Sequence, residues 1–330
     1  DDEFADYETW DQGNLDLTEL KKDEMLQREY ARRALQLGLA VEQSVGVNPY
    51  KFGLIGATDS HTALATASED NFFGKHSGAE PSPERTARPM AKFGELEYPG
   101  WSMASSGYQG VWAIENTREA LFDAMMRRET YATTGSRIRI RFFGGWHFDD
   151  QDVWHSDFTN IGYAKGVPMG GDLRRNNMGA DEKDHKENRK SPSFVFAAAH
   201  DPLSGNLDRI QIIKGWVNQQ GKRQEKVYNV VWSGDRLIDH DGKLPSVGNT
   251  VDIATATWTN TIGEPALRGV WHDPDFDPEV PSVYYARVLE IPTPRWTAYD
   301  AARFNIEMPS EDVPMITQER AYTSPIWYTP

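Results

Sequence analysis

Histidine is scarce in this chain, with eight among 330 residues. Only His61 follows an apolar run and has a carboxylate two positions before it. It closes Asp59-Ser60-His61, directly after Lys51-Phe52-Gly53-Leu54-Ile55-Gly56-Ala57. At the end of an extended segment, side chains two residues apart leave on the same side. A carboxylate and an imidazole can then turn toward one point, a donor pair that suits a borderline divalent ion such as zinc or manganese. In barrel-type α/β folds the C-terminal strand ends form the active face, which is where this triplet falls. The same three residues also fit a strand-end capping carboxylate beside a satisfied histidine, and a lone D-x-H does not choose between the two.

Downstream, Asn71 and Lys75 stand in a loop that could reach an anionic substrate group, with Lys75 as a point charge. The plainer reading is a solvated lysine and a loop-stabilising asparagine. Other carboxylates read as structural. Glu115 precedes a helix start, where a negative charge favours the helix dipole. Asp273-Pro274-Asp275-Phe276-Asp277 lacks the glycine and terminal glutamate of a calcium loop and reads as an acidic turn. The tryptophans, Trp216, Trp232, Trp258 and Trp271 among them, fit sandwich core and rim better than a carbohydrate platform. No nucleotide-binding glycine loop and no G-x-S-x-G elbow is present.

The elements that must position these residues follow from the hydrophobic period. Lys22–Val45 carries an apolar stripe without proline and predicts a helix ended by Gly46. Lys51–Ala57 predicts a short buried strand. Residues 63–110 predict a long loop with at most one short helix, a length often associated with site lids. Asn116, with Glu119 three positions on, predicts the cap of a helix running to about Arg128. From Arg137 the period becomes two, and strands are expected at 137–142, 193–199, 207–216, 226–232, 250–258 and 282–291. The charged stretch from Arg174 to Ser193 predicts a mobile surface loop. The expectation is therefore an α/β first part, residues 1–135, followed by an all-β sandwich, residues 136–330.

Composition narrows the classes further. Fifty acidic against 35 basic residues give a net charge of −15, which disfavours nucleic acid and anionic membranes as partners. No apolar run approaches a bilayer span. With no cysteine, disulfide scaffolds, thiolate zinc sites and cysteine nucleophiles are excluded.

Gly56-Ala57-Thr58-Asp59-Ser60-His61-Thr62 with Glu69-Asp70-Asn71-Phe72-Phe73-Gly74-Lys75 resembles an uncharacterised-domain family of metallohydrolases in the polymerase-and-histidinol-phosphatase (PHP) superfamily. The resemblance continues through Gly110–Ala113, Glu115–Glu119, Glu129–Gly135, Arg141–Trp146, Asn206–Gln211, Lys214–Trp216 and Arg320–Tyr328. It implies a partial, distorted (β/α) barrel that binds two or three divalent ions (zinc, manganese or iron), followed by a β-sandwich. It further implies Asp59 and His61 as catalytic metal ligands and Asn71 and Lys75 as substrate-binding residues. The superfamily's early H-x-H motif occurs nowhere in these 330 residues. The chain therefore reads as the C-terminal portion of a longer protein, its site completed by an N-terminal fragment or a second chain. The implied activity is metal-dependent hydrolysis of a small-molecule ester or amide. A phosphoester leads, with sulfate ester, amide or carbamate beside it, in a periplasmic or extracellular setting. The alternative is a non-catalytic β-sandwich module that binds a glycan or a protein partner.

Overall fold

The alternation that begins at Arg137 sets the architecture. Ile138, Ile140 and Phe142 are buried while Arg137 and Arg139 are exposed between them, as a strand with one dry face requires. In a computed structural model, which describes residues 13–330 apart from 15–17, 27, 65, 95, 106, 176–190 and 241, the strand spans Arg139–Gly145. It lies in a four-stranded sheet between Ser193–Ala199 and the edge strand Gly166–Pro168, with Ala266–His272 beyond Ser193–Ala199.

The larger sheet has eight strands. Its path runs Arg223–Trp232, Leu207–Val217, Ser282–Glu290, Arg320–Thr323, Thr130–Thr133, Gln109–Val111; off this path Ile326–Thr329 also pairs with Ser282–Glu290 and, in parallel, with the eighth strand, Asp172–Arg174. Phe142, Phe194 and Phe196 of the small sheet meet Ile210, Ile212, Tyr284, Val288 and Tyr328 of the large one in a single core. The two sheets thus make a sandwich, and they close no barrel among the described residues.

Every residue of Ser282–Glu290 is buried, because the strand is central in its sheet and covered on both faces. Its inner face looks into the sandwich. The outer face, Val283 and Tyr285 with Ile213, Val217 and Trp327, takes Leu35 and Leu39 of the helix Ala31–Val45. That helix ends at Gly46, whose φ of 81° places it in the left-handed region and whose N–H bonds back to Glu42 O. Arg32 and Gln36 both donate to Glu225, each at 2.7 Å, and tie the helix to the neighbouring strand.

With 19% helix and 30% strand the fold is β-rich and mixed. The expected boundary at 135/136 falls between strands of two sheets that share a core. Thr133 before it is in register with Ala321 near the C-terminus. Among the described residues no helix is long and apolar enough to cross a membrane.

Several expectations need correction. The helix expected over Lys22–Val45 is broken: Asp23–Leu26 forms one turn, Tyr30 is extended, and the long helix starts at Ala31. Thr117 rather than Asn116 caps the helix Arg118–Met126, its hydroxyl accepting from Ala120 N at 3.3 Å. Thr250–Trp258 is no strand, since the Asp252 carboxylate takes the Ala254 N–H at 3.0 Å and Ala256 turns to φ 48°. That local bonding competes with a ladder. The loop at 63–110 contains a hairpin, Pro89–Phe93 with Leu96–Pro99. Most of the Arg174–Ser193 stretch, residues 176–190, lies outside the described residues.

Because the helix Ala31–Val45 and the outer sheet face form one packed unit, Leu39→Ala should lower the stability of the whole protein by about 2–5 kcal/mol. Urea unfolding followed by far-UV circular dichroism and by tryptophan fluorescence should then shift in one coincident transition. Two separate transitions, with only the helical signal moved, would contradict it.

Candidate metal centre

The segment Lys51–Ala57 approaches the sheet without joining it, which corrects the expectation of a buried strand. Leu54 N donates to Ser324 Oγ at 2.8 Å and Leu54 O accepts from Thr130 Oγ1 at 3.0 Å. The side chains of Thr130, in a strand, and Ser324, in the connection after Arg320–Thr323, thus occupy the groups a ladder partner would use, and Ile55 is exposed. The chain leaves this guide rail at Thr58 and reverses. Asp59 sits at φ 49° and Ala63 at φ 59°, the left-handed region that aspartate tolerates better than most side chains.

The reversal presents both members of the D-x-H. The Asp59 side chain is 71% exposed, and His61 is exposed beside it. His61 Nδ1 lies 3.1 Å from Asp59 O. Since a carbonyl only accepts, this contact favours the tautomer with hydrogen on Nδ1 and leaves the Nε2 lone pair outward. Metal-ligating histidines are commonly oriented by such a carbonyl. The loop is closed by His61 N donating to Lys75 O at 2.7 Å. Lys75 Nζ bonds Thr58 O at 3.3 Å and stands 3.9 Å from Asp59 Oδ2. Asp59, His61 and Lys75 therefore form one group.

Asn71 is placed differently. It is exposed at the end of the single 3-10 turn Glu69–Asn71, which packs against the helix Trp296–Phe304, and its side chain makes no hydrogen bond to Asp59, His61 or Lys75. Between Asn71 and Lys75 the chain passes Gly74 at φ 109°, where a Cβ would lie 2.3 Å from Ala79 O.

What holds this loop was not legible beforehand. Glu69 is the hub: one carboxylate oxygen accepts the Ser105 hydroxyl, and the other accepts Trp296 N at 2.6 Å. Arg85 and Asp300 form a buried ion pair, with Arg85 Nη1 also donating to Phe72 O at 2.9 Å. Its guanidinium lies 4.5 Å from the Trp296 ring centroid and 5.5 Å from that of Phe72. Arg295 adds bonds to Trp101 O and Met103 O at 2.8 and 2.7 Å.

As a metal site the group is partial. Its donors are of the right kind, a carboxylate and an oriented imidazole. Among the described residues, however, no three or more histidine, aspartate or glutamate side chains are gathered to hold an ion. The other carboxylates considered are structural. Glu115 accepts the Thr117 cap hydroxyl at 3.2 Å, and buried Asp273 accepts Lys214 Nζ at 2.6 Å.

A second buried carboxyl, Glu290, ends the central strand, wholly enclosed beside Ser204 and Gly205. Burial pushes it up to about 8; the Ser204 and Ser136 hydroxyls counter that rise and the Asp201 charge adds to it. With its folded value above the ordinary ~4.3 of the unfolded chain, folded protein keeps a proton that unfolded protein releases. Stability should therefore fall as pH rises from about 4.3 toward 8. Glu290→Gln should flatten that slope in urea titrations at pH 5 and pH 8, and an unchanged slope would contradict the assignment.

No curated protein and no solved structure matches this chain. Residues 1–330 match the family described as Protein of unknown function (DUF3604), and the chain belongs to that family.

Proposed function

We propose that the Asp59–His61–Lys75 group is part of a divalent-metal hydrolase centre of the PHP type. The observation that carries this reading is the pairing of an outward carboxylate with an imidazole whose Nδ1 is engaged by Asp59 O at 3.1 Å, leaving Nε2 to bind. Asp59 and His61 would hold the ion, which is zinc, manganese or iron on this reading. When bound, such an ion supplies a water of lowered pKa, about 7, and a polarised scissile bond.

The remaining steps belong to the chain's own side chains. Lys75, held by Thr58 O and close to Asp59, offers an ammonium to an anionic oxygen of the substrate. Asn71 offers an amide from the neighbouring turn, and the clasp of Glu69 and Arg85 keeps that turn in place. Catalytic zinc sites use about three protein ligands. The missing ones are assigned to an N-terminal segment or a second chain that completes the centre. A small phosphoester is the preferred substrate, ahead of sulfate ester, amide and carbamate, in a periplasmic or extracellular setting.

The test is hydrolysis of p-nitrophenyl phosphate, bis-p-nitrophenyl phosphate, p-nitrophenyl sulfate and a p-nitrophenyl carbamate with added zinc or manganese. Phosphoester turnover should drop at least about 100-fold in Asp59→Ala and in His61→Ala, while Lys75→Met should chiefly raise KM. Undiminished turnover in both ligand variants, or no turnover of any of the four compounds by folded wild type together with its completing segment or chain, would overturn the reading.

A further inference from the structure

At the end of the sandwich where the central strand begins at Ser282, the inner face of the large sheet changes character. Along Leu207–Val217 the inward residues run Ile210, Ile212, Lys214, Trp216, from apolar core to open rim. Lys214 is 4% exposed and closes the core: Nζ donates to Asp273 Oδ2 at 2.6 Å and to Asp275 O at 2.8 Å. Asp273 also accepts the Tyr284 hydroxyl at 2.7 Å. A buried charge is thus spent on pinning the 273–277 turn across the sandwich mouth, where an apolar side chain could have filled the space.

Above this plug lies a cavity of about 240 Å³, lined among others by Trp216, Gln219, Gln220, Asp277 and Ser282. One wall is the turned 273–277 segment. The other is the hairpin turn after Val217, set by Asn218 Oδ1, which accepts Gln220 N at 3.1 Å and Lys222 N at 2.9 Å. Asn218, Lys214 and Asp275, which also line the cavity, are thus committed to holding its walls. The Trp216 indole N–H and the side-chain amides of Gln219 and Gln220 bond to no other described residue. Trp112, Trp146, Trp232 and Trp296, in contrast, each spend the indole N–H on a backbone carbonyl.

We propose that this cavity binds one neutral pyranose ring of a glycan, its apolar face against Trp216 and its hydroxyls on Gln219, Gln220 and Asp277. An indole beside unspent amides and a carboxylate matches the two-sided chemistry of a sugar ring, apolar C–H groups on one side and hydroxyls around the edge. Charge selects the neutral form. Lys214 Nζ already lies 5.3 Å from the Trp216 centroid, so a cationic ligand would meet a cation where it sought a π face. Asp275 is already engaged by Lys226 and the Tyr228 hydroxyl, and Asp277 repels an anion. The cavity is lined by Ser282 and the turns beside it, whereas the Asp59–His61 group follows Leu54, tied to Thr130 and Ser324, so the two groups share no residue. The two proposals therefore stand or fall separately.

The test is saturation-transfer difference NMR on the full chain with methyl α-D-glucopyranoside, methyl α-D-mannopyranoside and methyl β-D-galactopyranoside, with choline and glucuronate as charged comparisons. At least one neutral glycoside should bind saturably, and Trp216→Ala should weaken it by about tenfold. The exposed double variant Gln219→Ala/Gln220→Ala, which leaves the core untouched, should weaken it severalfold, and it decides the matter if Trp216→Ala does not fold. No saturable binding of any of the three glycosides, a preference for choline or glucuronate, or unchanged binding in the variants would overturn the proposal.

Discussion

The placement of the Asp59–Lys75 loop depends on one buried ion pair. Arg85 and Asp300 are 215 positions apart, with side chains 2% and 0% exposed. Burying two such charges costs several kcal/mol per ion, and attraction repays it only if the geometry is good and the other hydrogen-bonding groups are satisfied. Here the fork of Arg85 meets both carboxylate oxygens of Asp300, the third nitrogen takes Phe72 O, and the plane lies near the rings of Phe72 and Trp296. The segment it holds has little core of its own, with Phe72, Ala79 and Met103 clustering around Trp296. Removing one partner would leave an uncompensated buried charge, a loss of about 3–5 kcal/mol. The loop would then lose its main attachment to the helix Trp296–Phe304.

Beneath that clasp, Ser282–Glu290 is the common support. It pairs with Leu207–Val217 on one side and with Arg320–Thr323 and Ile326–Thr329 on the other. Through Arg320–Thr323 it reaches Thr130–Thr133 and hence Thr130, whose hydroxyl guides Leu54 toward the Asp59 turn. Through Leu207–Val217 it carries Lys214 and Trp216. The loop that carries Asp59 and the cavity beside Trp216 are therefore both attached to one hydrogen-bonded frame.

The β-rich character of the chain after Arg137 was legible because its signal is local. Ile138, Ile140 and Phe142 alternate with arginines, and that pattern needs no distant partner to be recognised. The D-x-H was visible for the same reason. What failed to show was set by residues far apart in the chain. Lys51–Ala57 reads as a strand, yet Ser324 and Thr130 satisfy Leu54 from across the fold. The strand Ala266–His272 has no clean alternation in sequence, since Arg268 and Gly269 interrupt its apolar residues. Glu69, Arg85 and Asp300 look like ordinary surface charges until the fold brings them to Trp296. No spacing rule links carboxylates and cations across 215 positions.

The most direct test of the metal-centre account is metal content per chain by elemental mass spectrometry on protein purified without chelator, with the mass of every polypeptide in the sample. The account predicts about one or more zinc, manganese or iron ions per chain, lost in Asp59→Ala and His61→Ala, together with a co-purifying segment or second chain. Folded protein free of metal, or metal retained in both variants, would contradict it.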